Sequence, residues 1–322
     1  MKRAVISGVS GQDGAFLARL LLEKKYQVIG VSRNIRNTSF KNLERLNICD
    51  RVEKISANMV DFRNVFELIH KYQPDEIYNL SGRSSVAHSF SEPFDTFESI
   101  GMAVLNLLEA VRILKLPIKL FNAGSSECFG NIDKGQATEG TPFRPKSPYG
   151  VAKSAAFWQI VSYREAYGLF ACTGILFNHE SFLRPDRFVT RKIVKTACKI
   201  AKGQRSELVL GNISIERDWG WAPEYVEAMW KMLQQSIPDD YIIATGTTIS
   251  LEKFIATVFR RLNLDWKNYV KTDSRFLRPS DIHTISGNPE KAEKKLGWKA
   301  RYTGEDVANM MVDEELKNMQ GK

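Results

Sequence analysis

R-A-V-I-S-G-V-S-G-Q-D-G-A-F-L-A-R-L-L-L-E, residues 3–23, decides the fold. A short apolar run, Arg3–Ser7, breaks into a turn carrying Gly8, Gly11 and Gly14, and apolar residues then recur at helical spacing. This is strand, glycine turn, helix. Glycines let a backbone approach a pyrophosphate closely, and the following helix offers aligned N–H groups and positive partial charge. Three glycines alone are a weak signal; set between an N-terminal strand and a strong helix they read as a dinucleotide turn.

Downstream the alternation continues. Strands are expected at Gln27–Val31, Val52–Ser56, Glu76–Leu80, Ile118–Phe121 and Phe170–Leu176. Helices are expected at about 61–72, 97–114 and from Tyr149 to a stop at Gly168, with another from Pro223 to about Gln235. Repeated strand–helix units predict an α/β fold: a doubly wound parallel sheet of Rossmann type, covered on both faces, with a smaller C-terminal substrate lobe. The expected division is residues 1–176 for the dinucleotide domain and 177–322 mainly for the second lobe, with some elements returning to the first. No repeat or low-complexity linker separates them.

After the second strand comes S-R-N-I-R, residues 32–36. A site selecting NAD usually places an acid there to bind ribose hydroxyls. Arg33, with Arg36 nearby, suits a 2′-phosphate instead, so the expected cofactor is NADP. The fourth strand runs into S-G-R-S-S, residues 81–85, small enough for backbone to approach the cofactor.

The chemistry centres on G-S-S-E-C-F-G, residues 124–130, and S-P-Y-G-V-A-K, residues 147–153. Ser125 follows the fifth strand, at the carboxyl end where open α/β sheets bind ligands. Tyr149 and Lys153 are four apart and share a helix face. An ammonium beside a phenol favours the phenolate, so the expectation is a Tyr149 pKa lowered toward the range of a general base. Ser, Tyr and Lys together can take a proton from an alcohol while hydride leaves its carbon. Glu127 adds a carboxylate able to take a proton from a neighbouring carbon. Further on, Lys192, Arg217 and Arg278 are separated in sequence yet able to converge on a diphosphate.

The bulk composition excludes several classes. With 322 residues, 43% hydrophobic and 26% charged, the chain is an ordinary globular protein. It has no run of about eighteen apolar residues to span a membrane. The net charge of +9 is spread among 37 acids without an aromatic-interleaved basic stripe, which argues against nucleic acid. Cys49, Cys128, Cys172 and Cys198 lack CxxC spacing, and His70, His88, His179 and His283 are isolated, so no metal site is expected. The opening M-K-R-A-V-I-S-G enters a strand with no leader, and a cytoplasmic location is expected.

These stretches together with Y-N-L-S-G-R-S-S-V-A-H-S-F, I-L-F-N-H-E-S, F-V-T-R-K-I and R-D-W-G-W-A-P-E-Y-V-E-A-M-W resemble the extended short-chain dehydrogenase/reductases. Within them the chain resembles the GDP-mannose 4,6-dehydratase family along nearly its whole length. The resemblance implies Ser125 as the catalytic hydroxyl, Tyr149 as base, Lys153 as its activator and Glu127 as the carboxylate that separates dehydratases from epimerases and reductases. It implies cofactor contacts from Gly8, Gly11, Gln12, Asp13, Gly14, Arg33, Asn58, Met59, Leu80, Ser81, Ser84, Tyr149, Lys153, His179 and Arg184. Around a GDP-sugar it implies Ser126, Asn178, Val189, Lys192, Arg217, Arg278 and Asp281.

Asn58 stands where the family commonly has Asp, Arg83 where it has Gln, and Asp281 where it has Glu. The implied reaction is NADP-dependent conversion of GDP-mannose to its 4-keto-6-deoxy product, with GDP-manno-heptose as an alternative substrate. The rivals are a 4-epimerase or 4-ketoreductase of the same fold, which need no Glu127, and a catalytically silent NADP sensor. A homodimer or homotetramer is also implied.

Overall fold

The computed structural model describes residues 1–132, 135–276 and 279–320. The first half runs β1 (Arg3–Ser7), α1 (Gln12–Glu23), β2 (Gln27–Ser32), α2 (Lys41–Arg45), β3 (Glu53–Ser56), α3 (Phe62–Tyr72) and β4 (Glu76–Asn79). It continues through α4 (Val86–Ser91), α5 (Pro93–Phe97), α6 (Ala103–Leu114), β5 (Lys119–Ala123), α7 (Pro148–Tyr167) and β6 (Ala171–Leu176). The second half begins with β7 (Asn178–Glu180), α8 (Val189–Ala201), β8 (Leu208–Leu210), β9 (Glu216–Trp221), α9 (Ala222–Leu233) and β10 (Tyr241–Ile243). It ends with β11 (Thr248–Ser250), α10 (Leu251–Arg261), β12 (Val270–Thr272), β13 (Thr284–Ile285), α11 (Glu290–Leu296) and α12 (Gly304–Gln320).

Seven strands form one parallel sheet in the order β10-β6-β5-β4-β1-β2-β3. Ile6 pairs in register with Gly30 on one side and Tyr78 on the other. The central strands are largely apolar and buried on both faces, as a parallel sheet between two helix layers requires, with Glu76 and Asn79 of β4 among the buried polar exceptions. One face packs Phe16, Leu17 and Leu21 of α1 against Tyr225, Met229 and Met232 of α9. The other face is covered by Val65 and Ile69 of α3, Leu107 and Val111 of α6, and Ala156 and Ile160 of α7.

Strand order reverses between β1 and β4, which opens a crevice at their carboxyl ends. The second lobe is built on β9, which pairs with β7, β11 and β13 and is packed by α8, α10 and α12 around Trp219 and Phe254. β9 leads directly into α9, which returns to the first lobe beneath α1, and β10 then becomes the outer strand of the main sheet.

Local chemistry explains the element that carries Tyr149. Ser147 caps α7 by accepting from the Gly150 N–H at 3.1 Å, and Pro148 occupies the first turn, where no amide partner is needed. The helix ends at Gly168, whose φ of +65° suits glycine. One expected helix differs. The stretch 97–114 is no single α-helix; α5 and α6 are joined by a π-helical turn, Glu98–Met102. One inserted residue re-phases the buried face, and apolar spacing alone does not register so small a step.

Candidate functional site

The glycine turn is packed against the end of β4. Gly8 has φ +81°, and a Cβ there would lie 2.8 Å from the Leu80 carbonyl oxygen. A Cβ on Gly14 would lie 2.3 Å from the Gly8 carbonyl oxygen, so α1 can start this close only with glycine. Gly11 caps α1 with no side chain over its first amides. This leaves a shallow cradle of backbone N–H groups at the crevice.

Beyond β5 the chain turns sharply. Ser125 accepts from the Glu127 N–H at 3.2 Å and so caps the short 3-10 turn Ser126–Cys128. That bond fixes the serine and the carboxylate relative to each other. Across from them α7 presents Tyr149 and Lys153, each 8% exposed. The Lys153 ammonium lies 5.8 Å from the Tyr149 ring centroid and donates to the Ala123 carbonyl at 2.6 Å.

This arrangement corrects one expectation. Tyr149 has its pKa raised, chiefly by burial and further by the Glu127 charge; a Ser125 hydrogen bond and the Arg184 charge oppose the rise. Burial outweighs whatever the Lys153 ammonium contributes, 5.8 Å from the ring centroid. Lys153 itself is pushed down to about 8, again by burial.

A cavity of about 590 Å³ runs from the glycine turn into the second lobe. Its first end is walled by Asp13, Leu80, Ser81 and Ser84. Ser125, Ser126, Glu127, Tyr149 and Lys153 form its middle, and His179 and Arg184 face it from beyond β6. Asn178, Val189, Lys192, Arg217 and Asp281, from the second half of the chain, also line it.

Within this wall many charges are paired. His179 Nε2 meets Asp13 Oδ2 at 2.9 Å, and Arg184 meets Glu180 at 3.1 Å. Arg217 faces Asp281 at 3.4 Å, and the Lys192 ammonium donates to the Val209 carbonyl at 2.7 Å. Arg83, also in the wall, is paired with Glu92 and Asp95.

Other expected residues stand apart from the cavity wall. Gly8, Gly11 and Gly14 form the turn beside it. Gln12 ties α1 to the second lobe, donating to the His179 carbonyl at 3.2 Å and accepting from the Ser181 hydroxyl at 2.8 Å. Arg33 is exposed in the loop after β2. Asn58 accepts from the Val60 N–H, and the buried Met59 offers its carbonyl to Asn106. Arg278 lies outside the described residues. The sequence reading missed Arg187, Phe188, Arg275 and Phe276, which also line the cavity. The basic stretch R-P-D-R-F-V, residues 184–189, was the available signal for the first two.

A family model described as GDP-mannose 4,6 dehydratase matches residues 5–311. The chain belongs to the GDP-mannose 4,6-dehydratase family. Its relatives in that family include GDP-mannose 4,6 dehydratase 2 of Arabidopsis thaliana, 44% identical over 98% of this chain and 87% of the relative. GDP-mannose 4,6-dehydratase of Vibrio cholerae is 39% identical over 98% of this chain and 94% of the relative. The family's fold is shared more widely. A dTDP-glucose 4,6-dehydratase from Bacillus anthracis, solved in complex with NAD, superposes with a TM-score of 0.86 at 19% identity, covering 99% of this chain and 98% of that one. A UDP-glucose 4-epimerase from Thermotoga maritima superposes with a TM-score of 0.87 at 20% identity, covering 98% and 99%. Among the described residues of this family member, no helix is long and apolar enough to cross a membrane.

Proposed function

We propose that the chain dehydrates GDP-mannose to GDP-4-keto-6-deoxymannose, with NADP as its resident cofactor. The observation that carries this reading is Glu127 in the same cavity wall as Ser125, Tyr149 and Lys153. A 4-epimerase or 4-ketoreductase has no task for that carboxylate.

The residues fit a dinucleotide. A Cβ at Gly8 would fill the space against the Leu80 carbonyl, and the first amides of α1 carry no side-chain cap. Arg33 and Arg36 are exposed after β2 and supply cations suited to a 2′-phosphate. When bound, the nicotinamide supplies an acceptor for the hydride of the hexose C4 and the source of its return to C6.

The side chains supply the rest. Ser125 donates to the 4-oxygen, and Tyr149 takes the 4-hydroxyl proton as the C4–H bond breaks. Tyr149 holds its proton in the ligand-free chain, so its ionisation falls to ligand binding, with the Ser125 hydrogen bond and the Arg184 charge already favouring the phenolate. Lys153 carries the compensating positive charge. The 4-ketone makes the C5 proton acidic, and Glu127 removes it. The departing 6-hydroxyl is protonated by Glu127 or Ser126 and leaves as water. As C6 regains the hydride, C5 takes a proton from solvent by way of Glu127, and Tyr149 returns its own proton to solvent, so the net change is the loss of one water.

Incubating the chain with GDP-mannose deuterated at C4, without added NADPH, tests this directly. Loss of the mass of one water with deuterium retained at C6 is expected. Recovery of an epimer at full mass would overturn the dehydratase reading, and loss of the label to solvent or to free NADPH would overturn the internal return of the hydride.

A further inference from the structure

Gln12 opens α1 directly after the glycine turn, yet its side chain is buried, 4% exposed, and is turned to the second lobe. Both N–H groups of its carboxamide are used, one on the His179 carbonyl at 3.2 Å and one on Asp13 Oδ1 at 3.0 Å. Its oxygen accepts from the Ser181 hydroxyl at 2.8 Å. Ser181 is fully buried and holds a turn: its hydroxyl accepts from the Leu183 N–H at 3.0 Å, and its carbonyl from the Arg184 N–H at 3.1 Å. Gln12 and Ser181 therefore adjoin, without joining, the cavity wall, which takes Asp13 from the first lobe and His179, Glu180 and Arg184 from the second. A glutamine at this place donates twice and accepts at once. A glutamate would set a carboxylate against the His179 carbonyl and the Asp13 carboxylate.

We propose that Gln12 is a positioning residue for oxidation at C4, holding the lobe that binds the sugar at a fixed setting against the turn that binds the nicotinamide cofactor. The inference rests on the reading of this cavity as a GDP-sugar site. The cofactor cradle is the glycine turn and the start of α1, whereas the cavity residues of the second lobe begin at Asn178. Hydride thus passes between ligands held by different lobes, and a misplacement of about 1 Å can cost about a hundredfold in rate. A buried carboxamide with both N–H groups satisfied fixes that setting. The Asp13–His179 contact crosses the same junction, but both of its residues line the cavity. Gln12 and Ser181 are the pair that tests the junction apart from ligand contact.

Gln12→Met, Ser181→Ala and the double variant test the assignment through GDP-mannose turnover, calorimetric binding of NADP and of GDP, and thermal melts. Each single variant is expected to lower kcat about tenfold, with KM for GDP-mannose and both binding constants within about twofold of wild type. Ser181→Ala, the milder change, carries the test if Gln12→Met does not fold. The double variant is expected to be no slower than the slower single, because one shared contact is lost once. Losses that multiply overturn the inference. Weakened NADP binding with wild-type kcat at saturating NADP also overturns it, since Gln12 then meets the cofactor itself. Wild-type kcat with only a lowered melting temperature overturns it too, leaving Gln12 a purely structural residue. In each of these cases the GDP-sugar reading stands. A wild-type chain that binds no GDP and releases no water from GDP-mannose overturns that reading and this inference with it.

Discussion

His179 Nε2 stands 2.9 Å from Asp13 Oδ2, a contact that joins the first turn of α1 to the strand opening the second lobe. The other ring nitrogen is 2.7 Å from the Phe177 carbonyl, and the ring stacks on Tyr225 with centroids 4.5 Å apart. The imidazole is therefore fixed on three sides. Burial opposes both charges of the pair, yet the partner's charge and hydrogen bond outweigh it: Asp13 is lowered to about 2 and His179 is raised.

The sign of the pH dependence follows. The raised His179 contributes fully below its unfolded value of 6.5 and loses its contribution as pH rises through the folded value. The lowered Asp13 contributes above its unfolded value of 3.8 and loses its contribution as pH falls through 2. Asp13→Asn should therefore cost about 2 kcal/mol, the scale of a charged hydrogen bond, between those unfolded values. The cost should shrink on either side, as read by urea melts across the pH range.

Glu127→Gln separates binding from elimination. The variant should bind GDP as the wild-type chain does and form 4-keto-6-deoxy product about a hundredfold more slowly, the scale of a lost general base. Solvent deuterium should cease to enter C5. Turnover at the wild-type rate would remove Glu127 from the base role.

Lys153→Met sets activity against stability. The buried ammonium has a folded pKa of about 8 against 10.5 unfolded, so the fold carries its full cost below pH 8 and sheds it as pH rises from 8 to 10.5. Replacing it with a neutral chain of similar length should raise stability at pH 7 by about 1 kcal/mol, after allowing for the lost bond to the Ala123 carbonyl. Oxidation at C4 should be abolished in the same variant, measured by cofactor absorbance in a single turnover.

Gly14→Ala should damage the fold through backbone alone. The added methyl would meet the Gly8 carbonyl oxygen at 2.3 Å, with no flexible side chain to yield. A loss of about 3 kcal/mol is expected, at the upper end for overpacking, seen as a lowered denaturation midpoint.

Much of the fold was legible because local and global signals agree. The glycine turn, the strand–helix alternation and the Gly168 stop each specify their element from adjacent residues. β10 was not legible: three residues, Tyr241–Ile243, carry no period, and their burial comes from pairing with β6 across about 65 residues of chain. At the site, helical spacing put Tyr149 and Lys153 on one face, but their protonation depends on burial and on the Ala123 carbonyl, which spacing does not encode. Arg187 was missed for a related reason. Sequence shows an arginine, and only the folded chain brings it to the cavity wall beside Phe188.

The late return of β10 also bears on biosynthesis. A ribosome that has delivered the first 176 residues has delivered a sheet whose β6, Ala171–Leu176, still lacks its outer neighbour β10, and an α1 surface still lacking α9. Bare parallel edges template pairing between chains. A proteolytic or engineered cut between the lobes should therefore yield a fragment prone to aggregate, and a nascent chain stalled there is a natural client for a chaperone.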